Sequence, residues 1–373
     1  MRRGVAVWDS DAAMAFPEFE PNKRKVLFFC RGRGSGHAIP DIEITNELLR
    51  LRGDVEVRFV SYATGATTLA EFGFPVIDLG LPELNSLLDV IVLATKITGW
   101  LQPDLVVAHE EFGALPAARV YDRPAIFLTD WFVESERITM GTLRFADQIL
   151  FIDDEGYFEE PPQAKGKVTY VGPVLRRFAY SLADRPRARC ELGLPEGAVV
   201  IAVLPGSYAT EERAPIADLV LRAFDSLDRT SKRLIWIAGS DTEPLRTKAG
   251  SRDNVQVMER EWQIDRLLVA SDVVITKANR KTVVELESLG IPSLALSAEL
   301  NPIDDARARS CEGVTFRLIS ETNAELLVSD LKRAMDRRPA AVEKPQPERG
   351  AMLAAQHIAA AIGKRESEPQ PSD

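Results

Sequence analysis

The ten residues Arg31-Gly32-Arg33-Gly34-Ser35-Gly36-His37-Ala38-Ile39-Pro40 set a titratable imidazole directly after three alternating glycines. Glycine lets a backbone turn sharply or approach a ligand closely. The free amides of such a turn, with a helix start behind them, favour an anion. Arg31 and Arg33 add charge of the same sign, and His37 would move a proton beside that anion. The same string also suits a plain strand-to-helix turn, so glycine spacing alone does not decide. A second titratable set is His109-Glu110-Glu111, in which His109 or Glu110 would serve as general base, and a third is Asp130 in Thr129-Asp130-Trp131. For each of these, helix capping or ion pairing weighs equally. Further along, Lys277-Ala278-Asn279-Arg280-Lys281-Thr282 is followed after one helical turn by Glu285. A helix beginning near Asn279 would direct its amides, with Lys277, Arg280 and Lys281, at a pyrophosphate. Glu285 would accept hydroxyl hydrogen bonds from a ribose. It is also spaced to pair with Lys281 at i, i+4, and ribose binding is the preferred reading.

Several chemistries are disfavoured. His109-Glu110-Glu111 is not H-E-x-x-H, there are three histidines in all, and His357 lies in an alanine-rich stretch. Asp153-Asp154 and Asp304-Asp305 lack D-x-D spacing, so no metal is expected. The chain has no G-x-S-x-G elbow. A nicotinamide Rossmann enzyme is weakened because Val57–Tyr62 ends without an acidic residue.

The elements that would carry these groups alternate regularly from Lys25. Expected strands are Val26–Cys30, Val55–Ser61, Val76–Asp78, Leu105–His109, Ala125–Thr129, Gln148–Ile152 and Val168–Val171. Ile39–Leu51 is a helix with Ile42, Ile44, Leu48, Leu49 and Leu51 roughly on one face, stopped by Gly53. A second series follows with Val199–Leu204, Leu234–Ala238, Val255–Met258, Val273–Thr276, Ser293–Leu296 and Thr315–Leu318. Strands apolar throughout suit a parallel sheet covered on both faces. The expected division is a poorly determined leader at 1–24, an α/β domain at 25–172, a linker at 173–197 and a second domain at 198–340. A C-terminal segment and helix at 341–363, with the option of packing back on the first domain, and a disordered tail at 364–373 complete it.

With 46 basic against 56 acidic residues among 373, the net charge of −10 argues against nucleic-acid binding. Cys30, Cys190 and Cys311 lie far apart, as in a reducing compartment. No apolar run reaches the roughly 18 residues of a membrane span. The expected location is cytoplasmic, with peripheral contact on the inner membrane face left open. Leu81, Leu84, Leu87 and Leu88, with Trp100, are taken as a helix's core face in preference to a lipid-facing patch.

The string G-x-G-S-G-H-x-x-P resembles the G-G-T-G-G-H-x-x-P signature of the MurG family of peptidoglycan N-acetylglucosaminyltransferases and related transferases of the GT-B fold. Lys277–Pro292 is similar to that family's R-S-G-A-x-T-x-x-E-x-x-x-x-G-x-P, and Trp262–Thr276 to the passage before it. The resemblance implies two doubly wound Rossmann-like domains facing across a cleft. It places Gly34, Ser35, Gly36 and His37 in that cleft, and Gly206 and Ser207 on the donor phosphates. Asn301, Asp304 and Asp305 fall where the family binds the donor sugar, without its glutamines. Arg33 and Asn279 replace family glycines, and Asn279 is expected to keep a left-handed turn. The activity implied is metal-independent, inverting transfer of a sugar, such as an N-acetylhexosamine, from a UDP-sugar to an acceptor hydroxyl. No cofactor is implied beyond the donor, and the acceptor is a polyprenyl-linked lipid or a small molecule. The alternatives are a nucleotide-sugar hydrolase in which His37 activates water, and a non-catalytic module that binds nucleotide sugar.

Overall fold

Runs of Val, Ile, Leu and Phe without polar alternation form strands buried on both faces, which is what a helix-covered parallel sheet requires. The computed structural model describes residues 6–7, 19–34, 36–132, 140–204, 214–239, 242–261, 263–299, 301–337 and 348–363. The chain divides into two units, one of residues 1–177 and 347–373 and the other of residues 178–346.

The first unit holds β1 (Ala6–Val7), β2 (Arg24–Cys30), β3 (Val55–Ser61), β4 (Val76–Asp78), β5 (Leu105–His109), β6 (Ala125–Thr129), β7 (Gln148–Phe151) and β8 (Val168–Tyr170). They form one sheet in the order β1-β4-β3-β2-β5-β6-β7-β8, and every pairing is parallel. Strand order therefore reverses between β2 and β5. At such a switch point the two following loops diverge and leave a crevice at the carboxyl ends. Cys30 and His109, the last residues of these strands, are register partners.

Helix Ala38–Leu51 buries Ile42, Ile44 and Leu48 against this sheet, whereas Leu49 and Leu51 remain exposed. Helix Glu348–Gly363 returns from the far end of the chain to cover it, burying Ala354, Ala355 and Ile358. The approach is close: a Cβ on Gly350 would come within 2.4 Å of the Pro173 carbonyl oxygen. Arg52 ties the two helices by donating to the Ala359 carbonyl at 3.3 Å.

The second unit holds β9 (Val199–Leu204), β10 (Lys232–Ile237), β11 (Val255–Met258), β12 (Val273–Lys277), β13 (Ser293–Ser297) and β14 (Val314–Leu318). Their order is β11-β10-β9-β12-β13-β14, again parallel throughout, so the switch point lies between β9 and β12.

Three expectations change. Residues 178–197, assigned to a linker, belong to the second unit. The amides of Ala179 and Tyr180 donate to the Asp265 carboxylate, at 2.5 and 2.9 Å, and helix Arg185–Glu191 packs on helix Ile264–Ala270. Pro186 marks the first turn of that helix and not a break. Within the supposed leader, β1 adds an edge strand beside β4. Leu81 and Leu87 do pack against the core, but Leu84, Leu88 and Trp100 are exposed, so the stripe is only half a core face. Among the described residues no helix is long and apolar enough to cross a membrane. The tail at 364–373 lies outside the described residues.

Candidate active site

At the switch point of the first sheet, the Arg31 amide donates to the His109 carbonyl at 3.2 Å, so both loops leave side by side. Gly32 is needed for close approach, since a Cβ there would fall 2.2 Å from the Tyr62 carbonyl oxygen. Gly34 is needed for its conformation, with φ +62°. The Gly34 amide, expected to face an anion, donates instead to the Glu83 carboxylate at 3.3 Å. The same oxygen accepts from the Thr64 hydroxyl at 2.6 Å. A carboxylate of the chain itself thus sits where the turn was expected to hold a ligand. Gly36 is exposed, and Ser35 lies outside the described residues.

His37 occupies the N-terminal boundary of helix Ala38–Leu51, and its Nε2 lies 2.9 Å from Glu110 Oε2. Glu110 follows the end of β5 with φ +49°, a left-handed conformation that a side chain adopts at some cost and that collects at functional positions. Its other oxygen accepts from the Thr129 hydroxyl at 3.2 Å, and Arg31 reaches Oε2 at 3.4 Å. His109, fully buried, places Nδ1 2.6 Å from Asp41 Oδ1. The two imidazoles meet edge to face with centroids 4.9 Å apart. The unit therefore brings together two carboxylate–histidine pairs, Glu110–His37 and Asp41–His109.

Burial pushes the Glu110 carboxyl up, but the charge and hydrogen bond of His37, helped by His109, outweigh it and hold the group below its usual range. Asp130, buried just beyond β6, opposes them through its own charge. Glu111 has no comparable partner, and burial pushes it up to about 7, restrained by Tyr62, Arg31 and the Gly113 amide. Burial, then Asp41, keep the Cys30 thiol well above its ordinary value, so it stays neutral. One ligand atom each from His37, His109 and Glu110 lies within 4.8 Å of the others, a spacing at which a metal ion can be held.

Asp41, Thr129 and Glu111 escaped the sequence reading as site residues. The one available signal for Asp41 was a carboxylate four residues after His37 in a helical register. Nothing in the sequence linked it to His109.

In the second unit, β12 ends at Lys277 and helix Arg280–Ser288 follows at the switch point. Asn279 is extended (φ −148°), not left-handed as expected. Its side chain caps the helix by accepting from the Thr282 amide at 2.7 Å, so that amide is taken. Glu285 is 7 % exposed, and Lys277 is half-buried. After β13, Asn301 caps helix Pro302–Ser310 through the amides of Ile303 and Asp304. Arg280 Nε lies 3.0 Å from Asp304 Oδ1. This ion pair joins the two helix starts, so Asn279, Arg280 and Thr282 gather beside Asn301, Asp304 and Asp305. Gly206 and Ser207 lie outside the described residues.

No family model matches the chain. In sequence it is 24 % identical, over 338 residues, to the UDP-N-acetylglucosamine–N-acetylmuramyl-(pentapeptide) pyrophosphoryl-undecaprenol N-acetylglucosamine transferase of Ruminiclostridium cellulolyticum, covering 82 % of this chain and 90 % of that one. In structure it is similar to the glycotransferase of kitacinnamycin (TM-score 0.66, 17 % identity, 91 % of this chain and 100 % of that one). It is also similar to MurG of Acinetobacter baumannii (TM-score 0.59, 16 % identity, 91 % and 99 %). The fold is GT-B. The likeness in architecture extends to a UDP-GlcNAc 2-epimerase from Neisseria meningitidis (TM-score 0.65, 15 % identity, 92 % and 100 %), so fold by itself does not choose a reaction.

Proposed function

We propose that the chain is a glycosyltransferase that moves a sugar, of the N-acetylhexosamine class, from a UDP-sugar to an acceptor hydroxyl with inversion. The observation that carries this reading is the sequence likeness to an N-acetylglucosaminyltransferase across most of both chains. That likeness, unlike the fold, separates transferase from epimerase.

On this reading the second unit binds the donor. The amides of Arg280 and Lys281, with the Lys277 and Arg280 side chains, hold the diphosphate, Glu285 takes the ribose hydroxyls, and Asn301, Asp304 and Asp305 meet the sugar. Gly206 and Ser207 would add phosphate contacts. The first unit handles the proton. The acceptor oxygen attacks the anomeric carbon as the bond to the diphosphate breaks, UDP leaves, and the acceptor proton passes to His37. Glu110, kept ionised beside His37, stabilises the imidazolium that results. Fixed cations and amides suffice to stabilise the leaving diphosphate, so the step as written needs no metal. The exposed Leu84, Leu88 and Trp100 support peripheral contact with a membrane and hence a lipid-linked acceptor.

The test is UDP release from a panel of UDP-sugars with and without lipid-linked and soluble acceptors. Acceptor-dependent release supports the reading. Equal release without acceptor would make the chain a hydrolase, and UDP binding without any turnover would make it a binding module.

A further inference from the structure

The Nε2 atom of His109 is buried and has no hydrogen-bond partner among the described residues. Its ring is held from behind, because Nδ1 is bonded to Asp41 at 2.6 Å. When the Asp41 carboxylate accepts a hydrogen bond from Nδ1–H, Nε2 is left as a lone pair. Proteins orient metal-binding histidines in this way, with the carboxylate fixing the tautomer and raising the basicity of the ligand. A buried acceptor left without a donor is costly, and something in the functioning protein must meet it.

The surroundings select a cation. Asp41 and Glu110, both buried, stand at this point, and Arg31 reaches Glu110 at 3.4 Å. We propose that the first unit binds one transition-metal cation of the zinc class through His37, His109 and Glu110, with Asp41 the carboxylate behind His109. Two imidazoles and one carboxylate with a fourth position open are a donor set that suits zinc.

The ligand atoms lie within 4.8 Å of one another, so to reach the metal the wider separations close slightly while the 2.9 Å His37–Glu110 pair opens. Ligands at about 2.0–2.1 Å in a tetrahedron stand roughly 3.4 Å apart. His37, 17 % exposed at its side chain and seated at a helix start, supplies that movement. The cation takes the place of the hydrogen bond between His37 Nε2 and Glu110 Oε2. Arg31, one-fifth exposed, swings away from Glu110. Binding does not depend on the transferase reading. Its consequence does: turnover stops while His37 is tied to the metal.

The experiment is zinc binding to the full chain after treatment with a chelator, by calorimetry with zinc alone, and cobalt substitution followed by visible absorption. One ion per chain is expected, with cobalt bands typical of four or five ligands. His109→Ala should weaken binding at least 100-fold. Asp41→Asn, which keeps shape and touches no metal, should weaken it about 10- to 100-fold. Cys190→Ser, at the exposed thiol, should change nothing. Circular dichroism checks the fold, and if His109→Ala unfolds, Glu110→Gln takes its place with the same expected loss. Absence of stoichiometric zinc, unchanged affinity in these variants, or a cobalt–thiolate charge-transfer band would overturn the proposal. UDP binding measured in parallel tells the two ideas apart, since its failure would sink the transferase reading and leave the zinc result standing.

Discussion

Glu111 offers a direct check on the electrostatics of the first unit. It is 6 % exposed, its Oε2 lacks a hydrogen-bond partner among the described residues, and burial pushes its pKa from 4.5 up to about 7. A carboxyl raised in this way holds its proton longer in the folded chain than in the unfolded one. Between pH 4.5 and 7 the native state therefore binds the extra proton, and stability falls as pH rises. The contribution is fully present below 4.5 and is lost as pH climbs through about 7. A shift of about 2.5 units corresponds to roughly 3 kcal/mol, an upper bound because denatured chains also bury some surface. Glu111→Gln keeps the shape and removes the charge. It should raise stability at pH 8 by up to about 3 kcal/mol while changing little at pH 5. For a unit of about 200 residues that is roughly 6–12 °C in the melting temperature. Calorimetric melting of both proteins at pH 5–8.5, with chelator present, reads the effect. Parallel curves for variant and parent would refute the assignment of a buried carboxyl whose partners do not offset its burial.

Other outcomes are accessible to simple assays. His37→Ala should lower turnover by about 10²–10⁴-fold while UDP affinity, from calorimetry, stays within a few-fold; equal loss of both would move His37 to donor binding or folding. UDP at 100 times its dissociation constant should stabilise the native chain by about 2.7 kcal/mol, and Glu285→Ala should abolish that shift. If Glu285→Ala melts with the same UDP-induced shift, the ribose contact is wrong. Asn279→Ala should cost about 1 kcal/mol through the lost cap on Thr282, visible in urea unfolding; no change would mean the cap is not held in solution. Leu88→Asp should reduce co-sedimentation with anionic vesicles without altering the melting curve, and undiminished co-sedimentation would remove the exposed stripe from any membrane role.

Strand positions were legible because most are short apolar runs bounded by charge or glycine. Val199–Leu204 is apolar throughout, and Val55–Ser61 sets Val55, Val57 and Phe59 alternately with Glu56 and Arg58, the period of two that marks a strand. The two-residue β1 was not legible, since Ala6–Val7 owes its strand state to the waiting edge of β4. Local placement was legible where one segment carries it: His37 at a helix start after its glycines, Glu285 on the helix one turn from Thr282. Long-range partners were not. Asp41 meets His109 across 68 positions, and Glu83 meets Gly34 across 49, distances over which no sequence pattern encodes a hydrogen bond. Asn279 shows a subtler miss. Both a left-handed turn and a helix cap favour Asn, and residue type alone could not choose.

Helix Glu348–Gly363 closes the apolar flank of helix Ala38–Leu51, yet all of residues 178–346 lie between the two in the chain. During synthesis at about 5–20 residues per second, that flank waits roughly 15–60 s for its cover. The nascent chain thus carries an uncovered greasy surface while the inserted unit emerges and folds. This is an interval in which a holding chaperone would find its target, and in which crowded ribosomes would pair one unfinished copy with another.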